Sequence, residues 1–305
     1  MRETPISRKP TFNHLIITRY NLPVSWGRRG QLHADEDWLK ERQRLFERYC
    51  LPSVVLAERS CPSVTWVLRC AADSPPSLRI FMAQVRQLYP WIIPMYLEEN
   101  ALASDIVDES LKQRASKPCR FLLTTRLDSD DAVGRDFVKD LQHAAERSLE
   151  LEFLGKRELP VLINFPFGCQ TVHGRLYLSA DLGNPFVSFL EERSDDKPII
   201  GCYSGTHRDL HQSARTVSQL MASGASWLQV IHGSNEANVV CGLRVPRRAG
   251  LKRYLVLRSE KRSETYHGGI KEVVHAIRNQ TVQLGAYCWK RATASMNQSM
   301  GRPGQ

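Results

Sequence analysis

The stretch FLLTTRLDSDDAVGRDFVKDLQ (121–142) joins a short apolar run to a helical pattern. Phe121–Thr125 reads as a buried strand, because four to eight apolar or β-branched residues bounded by polar ones favour extended chain. Residues 132–149 (AVGRDFVKDLQHAAERSL) place Phe137, Val138, Leu141, Ala144 and Ala145 on one stripe, which predicts a helix there. At the junction stand Asp128, Asp130 and Asp131, three carboxylates within four positions. Like charges that close repel, so something must hold them. A helix start is one answer, through capping and the helix dipole. A divalent cation is another, because hard ions take oxygen ligands. Spacing alone leaves both open.

Working outward, the same alternation repeats. Apolar runs stand at HLIITRY (14–20), VTWVLRC (64–70), WIIPMYL (91–97) and RFLLTT (120–125). Between the first two, DEDWLKERQRLFERYCLP (35–52) puts Trp38, Leu39, Leu45, Phe46 and Tyr49 on one helical face, with acidic residues at its start and Pro52 closing it. PSLRIFMAQVRQLY (76–89) has the same character. Strand–helix alternation predicts a parallel, doubly wound α/β sheet, and Pro94 pushes the third strand toward an edge. From about residue 160, PVLINFPFGCQTVHGRLYLSAD and NPFVSFLEER read as consecutive strands with Gly, Asn and Pro turns. These predict a mixed, partly antiparallel extension of the same sheet. Beyond about residue 250 the chain is basic with weak helical pattern, and its last dozen residues are expected to be disordered.

The 305 residues suffice for one large domain or two smaller ones. No apolar run reaches the roughly 20 residues needed to cross a bilayer, and the amino-terminal stretch has no apolar core of a secretion signal. Eight cysteines without a CxxC pair predict reduced, mostly buried thiols in a cytoplasmic protein. A net charge of +10, concentrated in RVPRRAGLKRYLVLRSEKR (244–262), suits phosphate-bearing ligands or an anionic membrane surface, or is a solvated face.

In an open α/β sheet, ligands bind beyond the carboxyl ends of the strands, where the three aspartates are expected. Neither GxxxxGK[ST] nor GxGxxG occurs, so the common phosphate-cradling loops are missing. What remains is a D-x-D site holding a metal that bridges a diphosphate.

Seven stretches then stand in order: HLIITRYNL, WLKERQRLFERYCLPSV, WVLRCAADSPP, TTRLDSDDA, LINFPFG, GRLYLSADLGNPFVSFLEE and WLQVIHGSNEAN. Together they resemble the rhamnosyltransferase family of bacterial glycosyltransferases, from about His14 to Val245. The resemblance implies a GT-A-like, Rossmann-like mixed sheet flanked by helices over 12–250. It leaves 251–292 as a basic, partly helical extension and 293–305 as a tail. It implies a metal-dependent enzyme moving a sugar from a UDP- or dTDP-linked donor to a glycan, lipid-linked glycan or other hydroxyl acceptor. The setting would be cytoplasmic, with peripheral contact at the inner membrane face and no nucleic acid partner.

Roles follow from the resemblance. Asp128 and Asp130 would hold Mn2+ or Mg2+ on the donor diphosphate, with Asp131 on the donor sugar or orienting the pair. His232 would be a further ligand. Arg19 and Asn21 would lie against the nucleotide, and Asp73 against ribose or base, although Arg69 and Cys70 stand where apolar strand residues are expected. Glu191 or Glu192 would be the base that takes the acceptor proton. Trp227 is read as packing or sugar stacking. His207 and His211 form an H-x3-H pair without the third ligand a zinc site needs, so His207 is read as a loop residue near the acceptor. The rival reading is a metal-dependent phosphodiesterase or nuclease, which would need a second acidic cluster for its second metal.

Overall fold

The computed structural model describes residues 11–22, 33–59, 64–98, 101–194, 196–221, 226–233, 239–246 and Tyr254. Strand β1 (Phe12–Arg19) leads through α1 (Glu36–Leu45) and α2 (Leu51–Arg59) to β2 (Val64–Ala71). Then come α3 (Pro76–Leu88), β3 (Ile92–Leu97), α4 (Ala103–Gln113) and β4 (Phe121–Arg126). The next elements are β5 (Ala132–Val133), α5 (Phe137–Phe153), β6 (Val161–Asn164), β7 (Phe167–Val172) and β8 (Arg175–Ala180). Four strands complete the order: β9 (Ser188–Glu192), β10 (Thr216–Gln219), β11 (Trp227–Ile231) and β12 (Leu243–Val245).

Seven strands form one sheet in the order β10-β6-β9-β4-β1-β2-β3. β1 pairs in parallel with both β2 and β4, while β9 lies antiparallel to β4 and β6. This is the mixed α/β sheet flanked by helices that the sequence predicts. Side chains alternate between its faces, as the period of two requires. Ile16, Trp66, Leu68 and Leu123 join one buried cluster with Phe46, Met82 and Leu141 from α-helical segments. Leu15, Ile17, Val67 and Leu122 join a second cluster with Ile106, Val107 and Leu111 of α4. Helices α1, α2, α3 and α5 thus cover one face and α4 the other, and the change of side falls between β1 and β4. Such a change opens a crevice beyond the carboxyl ends of those two strands.

Local sequence explains most boundaries. Asp35 caps α1 by accepting the Trp38 N–H (2.8 Å), a contact typically worth about 1 kcal/mol. Pro76 opens α3, where a missing N–H costs nothing. Pro94 sits on β3, which is an edge strand as expected. Trp66 is wholly buried, and its indole N–H finds the Thr18 hydroxyl at 2.8 Å.

Three expectations are corrected. Pro52 does not close the first helix. A five-residue π-helical turn, Phe46–Cys50, carries the chain into α2 without a break, and Pro52, which has no N–H to donate, stands at the second position of α2 after that wider turn. The helix after the aspartates does not start at residue 132. Ala132 and Val133 form β5, and α5 begins only at Phe137 with Asp136 at its cap. The later strands are also more than an extension of the first sheet: β6, β9 and β10 join it, but β12-β8-β7-β11-β5 form a second, five-stranded sheet. Pro166, which has no N–H to donate, separates β6 from β7 and lets the chain leave the first sheet there. Of the basic extension and tail expected beyond residue 250, all but Tyr254 lies outside the described residues.

Candidate functional site

The aspartates follow β4 at the crevice, and the helix-start explanation for them falls away because α5 begins six positions after Asp131. Each carboxylate is held differently. Asp130 is buried, and its Oδ2 receives Arg42 Nη1 at 3.0 Å and faces His232 Nε2 at 2.8 Å. Burial alone would raise the Asp130 pKa, but the Arg42 charge and the His232 bond hold it well below the usual carboxylate range. Asp131 is also buried. It accepts the Val230 N–H (2.8 Å), yet burial and the neighbouring Asp130 and Asp128 push its carboxyl well above the usual range. Asp128 is the most accessible, with its side chain 31% exposed and Oδ1 at 3.5 Å from Arg126 Nη2.

The second sheet explains how His232 arrives. β5 pairs antiparallel with β11, placing Trp227 beside Val133 and Leu228 beside Ala132. Asp131 extends that contact through Val230, so β11 ends with His232 against Asp130, 102 positions away in sequence. Trp227 fixes the other end of this strand. Its ring stacks on Phe186 at 5.1 Å, its N–H donates to the Phe165 carbonyl, and only 2% of it is exposed. It is therefore packing, not a sugar platform. Gly168 is required beneath it, since a Cβ there would collide with the indole.

The opposite side of the crevice is basic. Arg19, Arg69 and Arg126 stand at the ends of β1, β2 and β4, and β1–β2 register places Arg19 beside Arg69. The guanidinium groups of Arg69 and Arg126 lie 5.6 and 4.9 Å from the centre of one ring, Tyr203, whose hydroxyl accepts the Arg19 N–H (3.4 Å). His207 belongs to the same loop. Burial lowers its pKa to about 4, and it lies near enough to Arg126 and Asp128 to feel their charges. His211 instead turns its Nδ1 to the Arg208 carbonyl (2.7 Å).

Other expected residues have different employment. Asn21 is buried at the end of β1; its amide donates to the His33 carbonyl and Ser74 hydroxyl and accepts the Ala71 N–H, tying two strand ends together. Asp73 is exposed and pairs with His33 at 3.0 Å. Glu191 and Glu192 are not brought to the aspartates. Because β9 runs antiparallel to β4, they sit beside Leu122 and Phe121, at the amino end of β4, with the aspartates beyond its carboxyl end. Glu191 accepts the Ile200 and Gly201 N–H groups, and Glu192 pairs with Arg120. Order along the chain suggested proximity, and strand direction reversed it.

Residues the sequence did not single out are Arg42, Arg126 and Tyr203. Arg42 carried a signal in retrospect, as a cation that is 7% exposed on the face of α1 beside Leu39 and Leu45. Among the described residues, no three His, Cys, Asp or Glu side chains converge as a metal cage. The donor types nevertheless suit Mg2+ or Mn2+. Two ligands of one such ion, each about 2.1 Å from it, lie roughly as far apart as Asp130 Oδ2 and His232 Nε2. Among the described residues, no helix is long and apolar enough to cross a membrane.

Residues 12–243 match the family described as "Putative rhamnosyl transferase". Among solved structures, residues 1–349 of S. aureus TarS align with 12% identity and a TM-score of 0.39, over 72% of this chain and 60% of that one. The same protein in complex with UDP gives 14% and 0.38, over 72% and 61%. A structure titled as a putative glucose-1-phosphate thymidylyltransferase from Bacillus anthracis gives 9% and 0.33, over 71% and 89%. The chain thus spans about three-fifths of the TarS chains it matches. No curated protein matches the sequence. The chain belongs to the rhamnosyl transferase family of glycosyltransferases.

Proposed function

We propose that the chain transfers a sugar, rhamnose being the family's namesake, from a nucleoside-diphosphate donor to a hydroxyl of a glycan or lipid-linked glycan. The donor would lie in the crevice between β1 and β4. The observation that carries this is the meeting of Asp130 and His232, from two different sheets, opposite a row of arginines at the strand ends. Acidic and imidazole donors on one side suit a divalent cation, and arginines on the other suit phosphate oxygens. The TarS complex with UDP is consistent with a UDP-linked donor.

Asp130 and His232 would hold Mn2+ or Mg2+, with Asp128, the most accessible carboxylate, beside them. When bound, such an ion supplies positive charge to a departing nucleoside diphosphate. The chain's own residues do the rest. Arg42 fixes the Asp130 carboxylate, and Asp131 holds β11 so that His232 stays in place. Arg126 offers a planar fork to the phosphates. Arg19 and Asp73 stand at neighbouring strand ends, where a nucleoside would rest, and Asn21 keeps those ends together. The basic 244–262 segment, outside the described residues apart from 244–246 and Tyr254, would touch an anionic membrane surface at the cytoplasmic face.

The test is a panel of nucleotide-sugars, including UDP- and dTDP-linked donors, incubated with the chain and Mn2+, with products analysed by mass. Release of nucleoside diphosphate from one donor, dependent on the cation, is expected. Absence of release from every donor, together with no nucleotide-dependent thermal shift, contradicts the reading. Charge reversal across 244–262 should weaken liposome binding, and retained binding would remove the membrane contact.

A further inference from the structure

Among the described residues, Arg69 lacks the acidic partner that Arg126 has beside it. Its residue is 8% exposed, its Nε, like that of Arg126, is buried without a hydrogen-bond partner, and among the described residues no carboxylate pairs with it. Its contact is the Tyr203 ring, and its charged neighbour is another cation, Arg19. A buried guanidinium without a counter-ion is strongly unfavourable, so chains normally pair it or leave it in water. Arg126, beside it on the same ring, has Asp128; Arg42 has Asp130. Among the described residues, only Arg69 of these three lacks an acid.

Arg69 lines a cavity of about 320 Å3 beneath the strand ends, between the sheet and α4. Ile17, Ile106 and Ile199 supply apolar wall, and Tyr203 lies over it. Leu102 and Ala103, at the first turn of α4, line it too. This eleven-residue helix has Leu102 at its N-cap position and no side-chain cap, so its first N–H groups lack the usual acceptor. Asp105 in that turn is exposed and bonded by Ser104. A helix amino terminus and a buried guanidinium lining one small cavity leave the same thing missing, a negative oxygen cluster. Glu191 contributes by geometry: through the Ile200 and Gly201 N–H groups it anchors the loop that carries Tyr203.

We propose that the cavity between Arg69 and the amino end of α4 is a phosphate-binding site, taking a phosphoryl group whose oxygens face the Arg69 guanidinium and the uncapped first turn. The site does not use the aspartates or a metal, and it rests on the transferase reading only where the phosphoryl group is the donor's. Its phosphoryl group could come from the donor's diphosphate or from a second phosphorylated ligand. The chemistry is the same for both.

The full-length chain is titrated calorimetrically with inorganic phosphate, inorganic pyrophosphate and UDP, and its unfolding midpoint is read without ligand. Arg69→Met should raise the ligand-free midpoint, because an apolar group replaces an unpaired buried charge, and should weaken pyrophosphate at least tenfold. Ala103→Asp, which brings a carboxylate to the cavity, should cause the same loss with Arg69 intact and covers the case in which the first variant misfolds. If UDP weakens in parallel, the phosphoryl group is the donor's. If UDP is unchanged, it belongs to a second ligand. A wild-type chain that binds neither phosphate nor pyrophosphate overturns the proposal, as does unchanged pyrophosphate affinity in both variants. Failure of the transferase reading would look different, with phosphate bound by the wild type and no sugar-nucleotide turned over.

Discussion

The two sides of the crevice carry opposite charge and are satisfied unequally. On the β4 side, Asp130 and Asp131 are buried and each has its counterpart within the chain: Arg42 and His232 for one, the Val230 N–H for the other. On the β1–β2 side, Arg69 is also buried, at 8% exposed, and has an aromatic ring in place of an acid. The difference teaches which half has its charges balanced by folding and which half has a charge left for an anion to balance. An acidic cluster completed from two sheets is stable before anything binds. Arg69, with no acid among the described residues, gains its counter-charge when an anion arrives.

The largest way to break that contrast is Asp130→Ala. It leaves Arg42 buried without its acid, and removing one partner of a buried pair typically costs about 3–5 kcal/mol. Urea unfolding should show that loss. The fold would therefore suffer along with any metal binding, and Asp130→Asn is the better probe of function.

A second effect comes from within the sheet. His14 is buried, its Nε2 is 2.9 Å from the Thr125 hydroxyl, and Gln142 donates to its Nδ1 at 3.1 Å. Burial lowers its pKa from 6.5 to about 3. The unfolded chain therefore binds the extra proton over that window. The stability this group contributes is present above pH 6.5 and falls as pH drops toward 3. Between pH 6 and pH 4 the loss should be about 2–3 kcal/mol. His14→Gln should flatten this part of the pH profile of unfolding, and an unchanged slope would remove His14 as its source.

His232→Ala comes next. It withdraws one of the two groups facing Asp130 Oδ2 but leaves Arg42, so a loss of about 1–3 kcal/mol is expected, with weaker cation-dependent nucleotide binding. The smallest effect should come from Glu192→Gln. This residue pairs with Arg120 on a half-exposed surface at the far end of the sheet. Stability should change by about 0–1 kcal/mol, and donor turnover should be unchanged. A large loss of turnover would restore Glu192 as a catalytic candidate.

The legibility of this molecule follows the range of its interactions. Strands β1 to β4 and helices α1 and α3 could be read because period and turn residues are local: Ile16 and Leu123 alternate with Ile17 and Leu122 within a few positions. The edge position of β3 was written in Pro94. The second sheet was hidden because β5 has two residues and gains its identity from β11, nearly a hundred positions later. At the site, the aspartates and His232 were visible as residue types in suggestive places. Arg42 was not, since nothing near it in sequence says that an acid from another segment awaits it. The glutamates misled because proximity in the chain carries no information about strand direction, and the antiparallel β9 sent them to the wrong end.

A crystal structure of the chain grown with UDP and Mn2+ tests the central claim most directly. The account predicts the diphosphate beyond the carboxyl ends of β1 and β4, with the cation touching Asp130 and His232 and phosphate oxygens toward the arginines. Nucleotide bound away from those strand ends, or a cation held by neither residue, would contradict it.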